Sequence, residues 1–146
     1  MSRFLAFALV FLLPTCLTIA AEPDGDLKAF QGKWVLESAT LAGRDHLDDF
    51  KGLTLTIDGD KYTVTVGMNT DKGTIALDAA KSPKWITLAS SEKAGPFKGR
   101  TMPGLYEFKD GKLTVCLNSE TDDRPTKFEA PLKTPLMLFV FQREKK

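Results

Sequence analysis

The chain has 146 residues, 20 Lys and Arg against 19 Asp and Glu, with 42% apolar and 27% charged side chains. That length is about one domain, and the near-neutral balance excludes a protein that neutralises nucleic-acid phosphates with clustered basic residues. Two cysteines and one histidine exclude a disulfide-dense scaffold and a histidine-rich metal centre.

Residues 1–21 read as a targeting segment. Arg3 gives a positive start, residues 4–13 form an unbroken apolar run, Pro14 breaks it, and Thr18-Ile19-Ala20-Ala21 supplies small residues just before Glu22. A run of about ten residues is shorter than the about twenty that span a bilayer. Cleavage near Ala21 is the leading reading, with export to the periplasm, cell envelope or exterior. Two alternatives stand behind it. Counted through Pro14 to Ala21 the stretch reaches 18 residues, long enough for a retained anchor. Lipidation at Cys16 ranks lowest, because Leu13-Pro14-Thr15 lacks the Gly, Ala or Ser that directly precedes a lipoprotein cysteine. Removing 21 residues leaves 125 (22–146) as a single domain, with Arg3 and Cys16 gone, 19 basic and 19 acidic side chains, and Cys116 as its one thiol. No internal disulfide is then available, so the core must supply the stability.

Residues 26–30 make a short helical turn ahead of the first strand, and 44–51 make another with Leu47 and Phe50 on one side. Elsewhere the apolar period is two. Leu53-Thr54-Leu55-Thr56-Ile57 and Tyr62-Thr63-Val64-Thr65-Val66 flank Asp58-Gly59-Asp60, which is a hairpin signal. The same alternation runs over 73–77, 85–88, 105–108 and 113–117, with Lys109-Asp110-Gly111-Lys112 turning the chain between the last two. With 33–40, 126–130 and 136–143 the count is about nine strands. Strands every 8 to 12 residues predict an all-β antiparallel meander. Leu136-Met137-Leu138-Phe139-Val140-Phe141 is apolar on both faces and should be covered on both. Closure removes exposed sheet edges, so a small barrel of about 8–9 strands is favoured over an open two-sheet sandwich.

Phe30-Gln31-Gly32-Lys33-Trp34 resembles the Gly-x-Trp signature that opens the first strand of lipocalin-type (calycin) barrels. That resemblance implies a barrel whose Trp34 sits at the closed end with a basic residue of the last strand, here Arg143, packed across it. A wider resemblance rests on Leu27-Lys28-Ala29-Phe30-Gln31-Gly32-Lys33-Trp34, Gly95-Pro96-Phe97-Lys98-Gly99-Arg100-Thr101, Gly104-Leu105-Tyr106-Glu107-Phe108, Gly111-Lys112-Leu113-Thr114-Val115-Cys116-Leu117 and Arg124-Pro125-Thr126-Lys127-Phe128. These stretches, in this order, are similar to a family of small exported lipocalin-like domains expanded in planctomycetes and of unknown function. The resemblance implies a fold and no reaction. Unlike true lipocalins, this chain has no disulfide pair to tether its tail.

The reactive residue types assemble no catalytic pattern, and no enzymatic activity is expected. Gly95 to Thr101 is one residue short of a phosphate loop, carries Arg for Lys and has no following helix. Asn118, Glu120, Asp122 and Asp123 lack the glycine and terminal bidentate acid of a calcium loop. Cys116 reads as a small core residue and His46, between Asp45 and Asp48, as a solvated loop residue; Asp48 and Asp49 point apart and form no acid–base pair. No metal, cofactor, nucleic-acid partner or membrane span of the mature chain is expected, and a monomer is.

Two functions remain. One is a carrier of a small hydrophobic molecule, with Tyr62, Tyr106, Phe108 and Phe128 lining a cup and Phe97 and Met102, on a loop over 90–103, acting as lid or contact patch. The other is a structural or inhibitor-like interaction protein whose loop surface meets a partner in the cell envelope. A dry interior below about 300 Å³ counts against the carrier. Trp34 and Arg143 close one end, so the loops over 40–45, 67–72 and 90–103 should share the open rim, with 58–61 at the closed end.

Overall fold

In a strand, alternate side chains face opposite sides, and here one side of each strand carries the large apolar residues. The computed structural model describes residues 25–95 and 97–145; the expected targeting segment lies outside them. A helix α1 (Gly25–Phe30) precedes strands β1 (Gly32–Leu41), β2 (Arg44–Asp45), β3 (Thr54–Asp58), β4 (Lys61–Val66), β5 (Asn69–Asp78), β6 (Lys84–Ser90), β7 (Thr101–Lys109), β8 (Lys112–Asn118) and β9 (Leu136–Arg143). Every pairing is antiparallel between neighbours from β3 to β9, and β1 pairs with both β3 and β9. The sheet is therefore a closed eight-stranded antiparallel barrel, with β2 added to the far end of β1.

Two sequence readings are corrected. Residues 126–130 form no strand, and the ninth strand is the two-residue β2. Residues 119–135 instead form a connection down and back along the barrel's outer face. Arg124 anchors it there: Nη1 donates to Ile86 O (2.6 Å) and Gly104 O (2.7 Å), Nη2 donates to Thr87 Oγ1 (3.0 Å), and the guanidinium lies 4.5 Å from the Trp85 ring centre. The return is fixed by Gly43 N–H donating to Ala130 O (2.6 Å). The second correction concerns β9, whose inward Met137, Phe139 and Phe141 are buried while outward Leu138 and Val140 are only half-buried. Residues 44–45 form β2, and 46–51 make the expected turn, with Asp49, Phe50 and Lys51 N–H donating to His46, Leu47 and Asp48 O and with Leu47 and Phe50 packed on the core.

The closed end is a plug. Trp34 Nε1–H donates to Phe30 O (2.8 Å), and the Arg143 guanidinium lies 4.3 Å from the Trp34 ring centre. The same guanidinium donates to Ala29 O and Gln31 O, at 2.5 and 2.8 Å. It thereby caps carbonyls that the end of α1 leaves without helical partners. Gln31 joins the β3–β4 hairpin by exchanging two hydrogen bonds with the Gly59 backbone. On the other side of the plug, Lys84 Nζ and Tyr106 Oη both donate to Asp26 Oδ2 at 2.7 Å.

Burial pushes the Asp26 carboxyl up, but the hydrogen bonds from Lys84 and Tyr106 and the Lys84 charge outweigh it and hold the group below its usual range. A carboxyl with a lowered folded pKa stabilises the fold above its unfolded pKa, about 4, and loses that contribution as pH falls through the folded value. Asp26→Asn is accordingly expected to be less stable than wild type at pH 7. The gap should narrow below about pH 4. Urea midpoints at pH 7 and pH 3 check this; a gap that stays constant refutes it.

Candidate functional site

With α1, Trp34 and Arg143 at one end, the β1–β2 end, the β4–β5 hairpin and the 91–100 loop lie at the other, on the rim where strand alternation places them. The β4–β5 turn is shorter than the sequence suggests, because β5 begins at Asn69. Between plug and rim, inward side chains of seven strands enclose a cavity of about 70 Å³. Its wall is aliphatic and aromatic, with one charged member, Asp71. Phe50, Leu53 and Phe97 lie across its mouth.

The environment of Asp71 follows from register. Tyr62 pairs with Gly73, and Gly73 with Ser90, across β4, β5 and β6. Gly73 carries no side chain, so the Tyr62 ring lies across it; a Cβ there would stand 2.8 Å from Tyr62 Cε1. The Tyr62 hydroxyl thereby reaches Asp71 Oδ2 at 2.7 Å, while Ser90 Oγ donates to Oδ1 at 2.5 Å. Tyr62 is 1% exposed. Burial and the adjacent Asp71 carboxylate push its phenol well above the usual range, so it stays a neutral donor.

A second hollow of about 270 Å³ lies outside the first, lined by Val66, Met68, Thr70, Glu92 and Ala94 among others. Val64, Asp71 and Phe97 line both. Phe97 therefore stands, with Val64 and Asp71, at the boundary between an apolar interior and a mixed vestibule. It is carried on the tip of the 91–100 loop, whose base is tied by Ser90 N–H to Arg100 O (2.8 Å) and Ser91 N–H to Lys72 O (2.8 Å). Gly95 and Gly99 flank the tip at φ 98° and 59°, with nothing within 4 Å of a Cβ at either. Those angles suit glycine, and the tip is closed by Gly99 N–H donating to Glu92 O (3.1 Å) and Arg100 N–H donating to Phe97 O (2.9 Å).

The expected cup residues are thus divided. Tyr62 lines the cavity, whereas Tyr106 and Phe108 fill the plugged end against Phe30, with ring centres 5.1 and 4.9 Å from it. Phe128, half-buried on the 119–135 connection, meets Tyr106 and Phe108 in a separate surface depression of about 280 Å³ that Lys84 and Glu107 also line, so three of the four come together there and only Tyr62 faces the interior. Met102 is not a loop residue: it lies in β7, is 3% exposed and forms part of the cavity wall. Phe97 is half-buried rather than exposed. Trp34 has Phe108 as a ring neighbour at 6.1 Å, while Phe139 meets Phe50 at 5.7 Å further up the barrel. Sequence reading missed Asp71 and Ser90, although counting back by twos from Ile75 puts Asp71 on the inward face.

The remaining reactive types are engaged locally. Cys116 is fully buried beneath the 119–135 connection, its thiol donating to Glu129 O (3.4 Å), and burial pushes its pKa up. His46 Nδ1 is 2.6 Å from Asp49 Oδ2. Asn118 is 3% exposed and braces its own loop, with its amide donating to Thr121 Oγ1 and Asp123 O and its carbonyl accepting from the Glu120 and Thr121 N–H groups. Among the described residues no helix is long and apolar enough to cross a membrane.

No protein-family model matches the chain, and no curated protein does. Among solved structures, the chain is similar to a mutant of the fluorescent protein UnaG at 16% identity, with a TM-score of 0.42, over 82% of this chain and 99% of that one. The barrel assignment stands on the strand register of this chain itself.

Proposed function

We propose that this protein binds a small, largely apolar molecule at the open end of its barrel, with Phe97 as the gate. The observation that carries this reading is the pair of hollows that share Val64, Asp71 and Phe97. The interior alone, about 70 Å³, lies well below the ligand-site range of about 300–1,000 Å³. It is also smaller than the cavity of about 150 Å³ that admits benzene in an engineered core. A ligand swallowed whole is thereby disfavoured. With Phe97 turned aside, the volumes of about 70 and about 270 Å³ join and reach the lower end of that range. The ligand would place an apolar end inside and its remainder in the vestibule.

The same proposal includes export after cleavage near Ala21, a non-catalytic monomer, and membership of the small exported lipocalin-like family whose motifs the chain resembles. Supporting these are the n-region, apolar run and small residues of the first 21 positions and the burial of Cys116. The small interior favours one rival, an interaction module that presents the rim and its fully exposed Met68 to an envelope protein.

Calorimetric titration with a 1-alkanol series from butanol to decanol separates the two. The ligand-binding reading expects one saturable site in wild type, and in Phe97→Ala a tolerance for longer chains. Stability of that variant should stay within about 1 kcal/mol of wild type, since the ring is half-buried on a loop. Absence of saturable binding in both proteins overturns the reading in favour of the rival.

A further inference from the structure

We infer that the molecule recognised at this mouth carries a primary ammonium group, which the Asp71 carboxylate receives. The inference rests on the ligand-binding reading above and specifies the chemistry of the same site.

Asp71 stands in an otherwise apolar wall and accepts hydrogen bonds from two neutral hydroxyls, those of Tyr62 and Ser90. Among the described residues no Lys, Arg or His forms an ion pair with it. A carboxylate offers about four lone-pair sites, so two protein donors leave it capacity for a third and fourth. Asp71 is half-buried at the boundary of the two hollows, where a cation meeting it forms a charge-assisted hydrogen bond. The protein supplies the carboxylate and leaves the counter-charge to the ligand.

The neighbours point the same way. Both hydroxyls donate to Asp71, and of the two only Tyr62 lines the cavity, its donor already committed to the carboxylate. The vestibule adds Glu92, whose backbone N–H is directed at Ser90 Oγ (3.3 Å). No basic side chain is among the vestibule's described lining residues; Lys93 and Lys98 of the same loop are exposed and outside that lining. Two carboxylate-bearing residues, Asp71 and Glu92, with no basic side chain among the described lining, match an ammonium, which has three donors and no acceptor, and mismatch a carboxylate, which has acceptors only. The apolar wall beneath accommodates a short hydrocarbon tail.

Hexylamine, 1-hexanol and hexanoate titrated into the wild-type protein at pH 7 test the inference, since they share a tail and differ in head group. The expected order is hexylammonium about tenfold or more tighter than hexanol, as a charge-assisted hydrogen bond provides, with hexanoate weakest. Asp71→Asn should bring hexylamine to the level of hexanol while leaving hexanol little changed. Ser90→Ala, which keeps the carboxylate, should retain the amine preference. Hexanoate binding as tightly as hexylamine, or hexanol matching it in wild type, overturns the inference and leaves the ligand site standing. Failure of all three to bind overturns both. The wild-type comparison decides the matter even if Asp71→Asn does not fold.

Discussion

Trp34→Ala is expected to destabilise the protein by about 3–5 kcal/mol, the range for truncating a large buried aromatic. Trp34 is 2% exposed and holds three things together. Its ring packs near Phe108 at 6.1 Å, its N–H satisfies Phe30 O at 2.8 Å, and its face carries the Arg143 guanidinium at 4.3 Å. Removing the indole leaves a cavity at the plug and a buried carbonyl without a partner, which adds to the transfer loss. Arg143→Ala should cost less, about 1–2 kcal/mol. Arg143 is exposed, so water replaces it at Ala29 O and Gln31 O. Trp34→Phe should fall between, because it keeps an aromatic ring and loses the N–H. Urea titrations of the three variants give the ordering; equal midpoints for wild type and Trp34→Ala refute the account of the plug.

The barrel was legible because its grammar is local. Leu53 to Ile57 and Tyr62 to Val66 alternate cleanly, and the turn between them is made of residues that favour turns. The 119–135 connection was not legible, since it has no periodic face of its own. Three hydrogen bonds from one side chain, Arg124, hold it to Ile86, Thr87 and Gly104, more than fifteen positions away in sequence. The strand position of Met102 is hidden for a different reason. Pro103 and Gly104 follow it, and both are poor strand residues, yet β7 runs straight through them because pairing with β6 and β8 overrides propensity. At the site, Phe97 was legible as an apolar residue on a long loop. Asp71 is not legible, because an acidic residue beside a turn signal reads as solvated until the strand is extended back to Asn69.

Gly73→Ala, a change of one methyl group, is expected to affect both stability and recognition. The alanine Cβ would fall on the carbonyl oxygen of Ala89 and 2.8 Å from Tyr62 Cε1. The first obstacle is backbone of a paired strand and cannot rotate away, so β5 and β6 must separate locally at the Gly73–Ser90 pair. Overpacking of this kind costs about 1–3 kcal/mol, and more where backbone is the obstacle. The second obstacle is the ring that delivers a hydroxyl to Asp71. Displacing it takes the phenol off Oδ2, and the strand separation moves Ser90 away from Oδ1, so both protein partners of the carboxylate are disturbed together. Tyr62→Phe isolates the local part: it removes one hydrogen bond, leaves the ring in place, and should lower stability by about 1 kcal/mol. Amide hydrogen exchange along β5 and β6 distinguishes the variants, with faster exchange around residues 73 and 90 in Gly73→Ala and near wild-type rates in Tyr62→Phe. If Gly73→Ala exchanges like wild type and unfolds at the same urea concentration, the close packing of β4, β5 and β6 around Asp71 is not the constraint that fixes glycine there.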